Sequence, residues 1–296
     1  MNELKKMYTV ILLIGLLLAS CSNQAREVNE SENEAVDEVE SVNNNNENNN
    51  EEINEDVDES EEKAVEIDLS KFDQTPKEWG EDVTGVKQRF VTDEQEIALT
   101  FDACGGDYGS DYDEQLITYL QEAEIPVTLF VNERWIEHNP EIFEKLAENP
   151  LFQIENHGTA HVPLSVDGKE AWGIAGTNSP EEVMGEIRQN HETVKELTGE
   201  EMKLFRSGTA FYDEVAVEIA EALDYTVVNF DILGDAGATY SSEQVKNALL
   251  EAENGSIALL HMNQPTSGTA DGIEKAIPLL KEQGFDFVQL QDVQFE

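Results

Sequence analysis

Seven short runs rich in Val, Ile, Phe and Leu recur between Glu96 and Leu290, separated by segments of helical periodicity. They are EIALTF (96–101), PVTLFV (126–131), LFQIE (151–155), KLFR (203–206), TVVNF (226–230), SIALLH (256–261) and FDFVQL (285–290). Such alternation predicts an α/β domain with a parallel sheet, and seven consecutive units predict a closed or nearly closed barrel. An open doubly wound sheet is the alternative. The helices announce their ends. Ser179 precedes Pro180, Glu181 and Glu182 as an N-cap, Ser241 or Ser242 caps the next helix, and Gly255 reads as its C-cap. Pro278 lies inside a helical pattern that keeps Ile273, Ile277 and Leu280 on one face, which predicts a kink.

The barrel does not start at the N-terminus. Lys5 and Lys6 precede an apolar stretch from Met7 to Ala19, too short for a comfortable bilayer span and shaped as a signal peptide. Its end, Leu18-Ala19-Ser20-Cys21, resembles the lipobox of bacterial lipoproteins, in which the cysteine is lipidated. The expected divisions are a signal peptide (1–20), a disordered acidic linker (21–70) and a catalytic domain (71–296). The linker follows from composition: Glu, Asn, Asp and Ser dominate it, and so few large apolar side chains cannot offset the entropy of ordering.

The full chain carries a formal charge of −46 with only 18 Lys and Arg, which excludes phosphate-backbone binding through counterion release. No nucleic-acid partner is expected. Cys21 and Cys104 are the only cysteines, so a lipidated Cys21 leaves Cys104 without a disulfide partner. A nucleophilic role for Cys104 is not expected, because the adjacent Asp102 would raise its pKa.

Polar residues gather where the runs end. Asp102 follows the first run, His157 and His161 the third, Arg206 ends the fourth, Asp231 and Asp235 follow the fifth, and His261 ends the sixth. In a parallel barrel those ends share one face, where chemistry is found in this architecture. Two histidines four residues apart, beside a carboxylate and a third histidine, suit a borderline divalent cation. His138 and His191 read as solvated helix residues.

Five pieces in order resemble the polysaccharide deacetylases of carbohydrate esterase family 4: TFDACGG (100–106), HGTAH (157–161), FRSGTAFY (205–212), FDILGD (230–235) and ALLH (258–261). The resemblance implies a distorted (β/α)7 barrel and a metal-dependent hydrolase that removes N-acetyl groups from a glycan. It implies Asp102 as general base, His157 and His161 as metal ligands, and Arg206 as the partner that orients the base. Asp235, or less readily Asp231, would tune His261, the general acid. Zinc is the expected cation. Backbone N–H groups of ACGGD are further candidates for stabilising the oxyanion.

The match fails at Ala103, where the family has a second, metal-binding aspartate, and at Ser207 and Gly208, where it has prolines. A two-histidine set completed by Asp102, Asp107 or Asp113 is the favoured resolution; weak metal binding and loss of activity are the others. The long connection from His161 to Pro180 is a candidate lid, with Trp172 either stacking on a sugar or pinning the loop. Trp79 and Trp135 read as packing residues. The expectation is an extracytoplasmic, lipid-anchored, monomeric N-deacetylase of a cell-wall or extracellular polysaccharide. The alternatives are an inactive glycan-binding lipoprotein and a hydrolase of ester-linked acetyl groups.

Overall fold

The computed structural model describes residues 67–296. The expected signal peptide, Cys21 and the expected linker up to residue 66 lie outside the described residues. The linker boundary at residue 70 falls inside a 3-10 turn, Leu69–Phe72, capped by Asp68. Folded structure thus begins earlier than composition suggested, because Ile67, Leu69 and Phe72 pack against the core.

Among the described residues twelve strands follow in chain order: β1 (Phe90–Val91), β2 (Glu96–Ala103), β3 (Val127–Val131), β4 (Phe152–Asn156), β5 (Glu170–Ala171), β6 (Ile174–Ala175), β7 (Leu204–Phe205), β8 (Thr226–Val227), β9 (Ile232–Leu233), β10 (Ser256–His261), β11 (Asp286–Phe287) and β12 (Gln294–Phe295). Between them run α1 (Glu114–Glu122), α2 (Glu133–His138), α3 (Pro140–Ala147), α4 (Pro180–Thr198), α5 (Glu214–Ala222), α6 (Ser242–Leu249) and α7 (Thr269–Gln283). The main sheet follows the order β8-β7-β4-β3-β2-β10-β9, all parallel, and forms the half-barrel of a distorted (β/α)7 fold. All seven predicted runs contain strand. The last, β11, lies off this path against the start of β2, and β9, not foreseen as a strand, takes the outer position beside β10.

Between β8 and β10 the segment before β1 fills the seam. Lys87 pairs with Val228 and Arg89 with Ser256, and Arg89 Nη1 meets Asp231 Oδ2 at 2.5 Å. Asp231 also accepts from Ser256 Oγ and from the N–H of Ile257, so its carboxylate is committed to closing the wall.

The pleat of β2 sorts its side chains. Ile97, Leu99, Phe101 and Ala103 join the large cluster between sheet and helices, whereas Ala98 joins Phe130, Leu204, Val228 and Ile257 in a smaller inner cluster. Thr100 and Asp102 continue the inner face. A strand of two buried faces therefore carries apolar residues outward and chemistry inward.

Ser179 caps α4 by accepting from Glu182 N, with Pro180 in the first turn and the left-handed Gly199 behind it. Ser241 is the N-cap of α6. That helix stops at Leu249 with Leu250 as its C-cap, short of Gly255. Gly255 has φ +80°, and a Cβ there would lie 2.0 Å from the Phe90 carbonyl oxygen, so the glycine lets β1 pass. The helix α7 continues through Pro278.

Candidate active site

Asp102 ends the inner face of β2 and is buried. Its Oδ1 accepts from Arg206 Nη1 at 2.9 Å, and the same nitrogen donates to Thr100 Oγ1 at 2.8 Å. Arg206 has no exposed surface; its Nε donates to Val228 O and its Nη2 to Asn229 O, while the guanidinium lies 4.1 Å from the Phe130 ring centroid. Burial alone would push the Asp102 carboxyl up. His157, Arg206 and His261 outweigh it and hold the group below the ordinary carboxylate value.

His157 follows β4. Its Nδ1 donates to the Arg206 carbonyl oxygen at 2.9 Å, which leaves the Nε2 lone pair facing Asp102 Oδ2 at 3.5 Å and Cys104 Sγ at 4.0 Å. Burial lowers its pKa against the attraction of Asp102, a bias toward the uncharged imidazole that ligation needs. His161 sits edge-on to it, with ring centroids 4.9 Å apart, and its buried Nε2 has no hydrogen-bond partner.

The HGTAH loop is held from below by Glu186 of α4. Its carboxylate accepts from the N–H groups of Ala160 and His161. Burial raises this carboxyl to about 7 despite those donors. Gly158 is required for that contact, since a Cβ there would lie 2.4 Å from Glu186 Oε1. His161 itself has φ +61°, strained for a non-glycine residue. Its backbone carbon would lie 2.4 Å from a Cβ on Gly208, which explains the glycine at that departure from the family pattern.

His261 ends β10. Its Nδ1 lies 2.8 Å from Asp235 Oδ1, and its backbone N–H donates to Asp235 Oδ2, which also accepts from Thr269 Oγ1. Burial works against a charged ring, but Asp235 outweighs it and raises His261 well above its ordinary pKa. Of the two predicted partners for His261, Asp235 occupies the position and Asp231 belongs to the barrel seam.

Asp102, His157, His161, Arg206, Asp235 and His261 thus converge at one end of the sheet. Asp107 and Asp113 do not join them: Asp107 is exposed, and Asp113 is the N-cap of α1, accepting from Leu116 N. The residue that does is Cys104. Its sulfur and the ring nitrogens of His157 and His161 all lie within 4.8 Å of one another. The expected rise in its pKa is also corrected. Burial would raise it, but the imidazoles of His161 and His261 bring it down to about 6. Ala103 is buried on the opposite face of the strand.

The donor set fits a divalent cation. His157 Nε2, Cys104 Sγ and a ring nitrogen of His161 lie close together, and the buried His161 Nε2 has no hydrogen-bond partner, an arrangement that a cation resolves. An open pocket of about 600 Å³ leads to it, lined by Cys104, Gly106, Tyr108, Arg134, His261 and Gln264. The Gly105 N–H, a candidate oxyanion donor, is taken by the Gly109 carbonyl.

The connection 161–180 forms the β5/β6 hairpin, pinned by Ser165 N to Thr177 Oγ1 and by Leu164 N to Phe211 O. Trp172, 75% exposed, packs edge-on to Phe211 at 5.6 Å. Trp79 also meets Phe211, and Trp135 is fully buried. His138 is exposed, but His191 is only partly so, held by Tyr225 and by Glu201 at 2.7 Å. Sequence inspection missed Asn132 and Glu186, whose contacts with the histidine loop span distant segments.

Comparison with known proteins places this site in context. The polysaccharide deacetylase family model matches residues 90–228. The peptidoglycan-N-acetylmuramic acid deacetylase PdaA of Bacillus subtilis is 24% identical over 213 residues, covering 69% of this chain and 73% of that protein. The peptidoglycan N-acetylglucosamine deacetylase Bc1960 superposes with a TM-score of 0.60 at 24% identity, covering 71% of this chain and 92% of its own. BA3943 of Bacillus anthracis, described as a pseudoenzyme of carbohydrate esterase family 4, superposes equally well at 0.60 and 18% identity, over 72% and 70% of the two chains.

Proposed function

We propose, from the premise that residues 90–228 are a polysaccharide deacetylase domain, that this protein removes N-acetyl groups from an N-acetylated glycan of the cell envelope. One observation carries the reading. A carboxylate held ionised and an imidazole held protonated stand side by side on β2 and β10, next to a donor set for a cation.

His157 and His161 would hold the cation. The chemistry supplied by a bound divalent ion is Lewis acidity, which acidifies water and polarises the acetyl carbonyl. Asp102 takes the proton of the attacking water, and Arg206 fixes the carboxylate in place and keeps it charged. The His261 Nδ1–H is engaged by Asp235, so Nε2 donates its proton to the departing nitrogen. The amide C–N bond breaks, and acetate and a free amine on the sugar result. Tyr108, 91% exposed at the pocket rim, and Trp172 on its hairpin offer faces for sugar rings.

The relatives that act on peptidoglycan support a cell-wall substrate, and the Leu18–Cys21 sequence supports a lipid anchor outside the cytoplasm. Among the described residues no helix is long and apolar enough to cross a membrane. The Ala103 departure from the family motif supports a second reading, glycan binding without turnover, and BA3943 is itself described as a pseudoenzyme. Acetate release from N-acetylglucosamine oligomers, measured with and without Zn²⁺, separates the two.

A further inference from the structure

We infer that Cys104, as a thiolate, is the third protein ligand of the cation held by His157 and His161. The result is a Cys-His-His centre that selects a borderline ion such as Zn²⁺ or Co²⁺ over Mg²⁺. This rests on the cation placement proposed above but requires no turnover.

The pleat of β2 decides it. Ala103 faces the sheet-helix core beside Phe101 and has no exposed surface, so no donor at that position is missing from the inner side. The next residue, Cys104, brings its sulfur 4.0 Å from His157 Nε2. A tetrahedral ion bonded at about 2.0 Å to nitrogen and 2.3 Å to sulfur holds those two atoms about 3.5 Å apart. A shift of about half an ångström meets that spacing. The third donor is ready as well, because the buried His161 Nε2 has no partner.

The backbone is built to hold the sulfur there. Gly105 has φ +69°, and a Cβ on it would lie 2.6 Å from Trp135 N, so the chain turns tightly against α2 directly after the cysteine. Arg134 Nη2 donates to the Cys104 carbonyl oxygen at 3.1 Å. From the neighbouring Asn132, the side-chain nitrogen donates to the carbonyl oxygens of His157 and Gly158. Asn132 and Arg134, the N-cap and second residue of α2, thus tie the cysteine loop to the histidine loop, the outer support that fixes ligand orientation at metal centres. Thiolate sulfur favours Zn²⁺ and Co²⁺ over hard, oxygen-seeking ions. On binding, the S–H bond is replaced by a sulfur-metal bond and its proton leaves to solvent.

The test uses the full chain carrying Cys21→Ser, so that Cys104 is the sole thiol, stripped by chelation and titrated with Co²⁺. A near-ultraviolet sulfur-to-cobalt charge-transfer band that saturates at equimolar Co²⁺ is expected. Cys104→Ser should lose the band and weaken Zn²⁺ binding by about 100-fold, the upper range for loss of even an outer-shell partner, while Cys104→Asp should bind Co²⁺ without it. Cobalt bound with only ligand-field bands in the parent protein overturns the assignment. So does acetate release that resists chelation but is abolished by thiol alkylation, which would make Cys104 a nucleophile. A sulfur-cobalt band with no acetate release supports the ligand assignment and rejects the deacetylase reading.

Discussion

Asp102 and His261 are register partners on adjacent parallel strands, β2 and β10, the last residue pair of that ladder. Each is biased by its own buried partner, Arg206 for the acid and Asp235 for the imidazole. Opposite biases on neighbouring groups separate a base from an acid without separating them in space. The backbone reinforces the pairing, since Met262 N donates to the Asp102 carbonyl oxygen.

The pH profile should show this division. With Asp102 below and His261 above their ordinary values, kcat/KM should be level through neutral pH and fall on the alkaline side as His261 loses its proton. Removing the anion in Asp235→Asn lowers the His261 pKa. The alkaline limb should therefore move toward neutral pH by about one unit or more. An unmoved limb would assign the alkaline loss to another group.

Arg206→Met should leave the buried Asp102 charge without its hydrogen-bonded ion-pair partner. The cost to stability is about 3–5 kcal/mol, and the acid limb of the rate profile should shift upward as the Asp102 pKa rises. Arg206→Lys keeps the charge but not the fork that reaches Thr100, Asp102, Val228 and Asn229, so it should recover stability only in part. Denaturant melts and rate profiles of both variants check this.

Glu155 gives a prediction on folding alone. Its buried carboxyl, accepting from Lys203 N and Leu204 N, is raised from 4.5 to about 7, a shift worth roughly 3 kcal/mol. A folded-state pKa above the unfolded one contributes stability below pH 4.5 that is lost as pH rises toward 7. Glu155→Gln removes that loss. The Tm of the variant relative to the parent should be higher at pH 8 than at pH 5; an identical difference at both would refute it.

Trp172 is held by Phe211 on one edge and open elsewhere, so Trp172→Ala should change stability by less than about 0.5 kcal/mol. If it receives a sugar ring, KM for glycan oligomers should rise several-fold with little change in kcat. Equal KM in both proteins would reduce Trp172 to a loop residue.

The fold was legible because β-branched and aromatic runs alternate with capped helices, and tertiary packing left those local preferences in place. The seam was not: Lys87 and Arg89 lie in a segment with no strand signature, and their pairing with Val228 and Ser256 is set by the gap they fill. Most of the site was legible because its polar residues interrupt apolar strand ends. Cys104 was obscured by matching residues one for one along a motif. In a pleated strand positions 102 and 104 share a side and 103 does not, a clue already present in the sequence. Its acidity was misjudged because only its neighbour Asp102 was weighed, whereas His161 and His261 arrive from distant segments.

Acetate release from N-acetylglucosamine oligomers, by protein stripped with chelator and then reloaded with Zn²⁺, tests the central claim. Turnover should vanish on stripping, return with Zn²⁺, and drop by about 10²- to 10⁴-fold in a folded Asp102→Asn variant. Turnover indifferent to chelation, or equal in parent and variant, would contradict it.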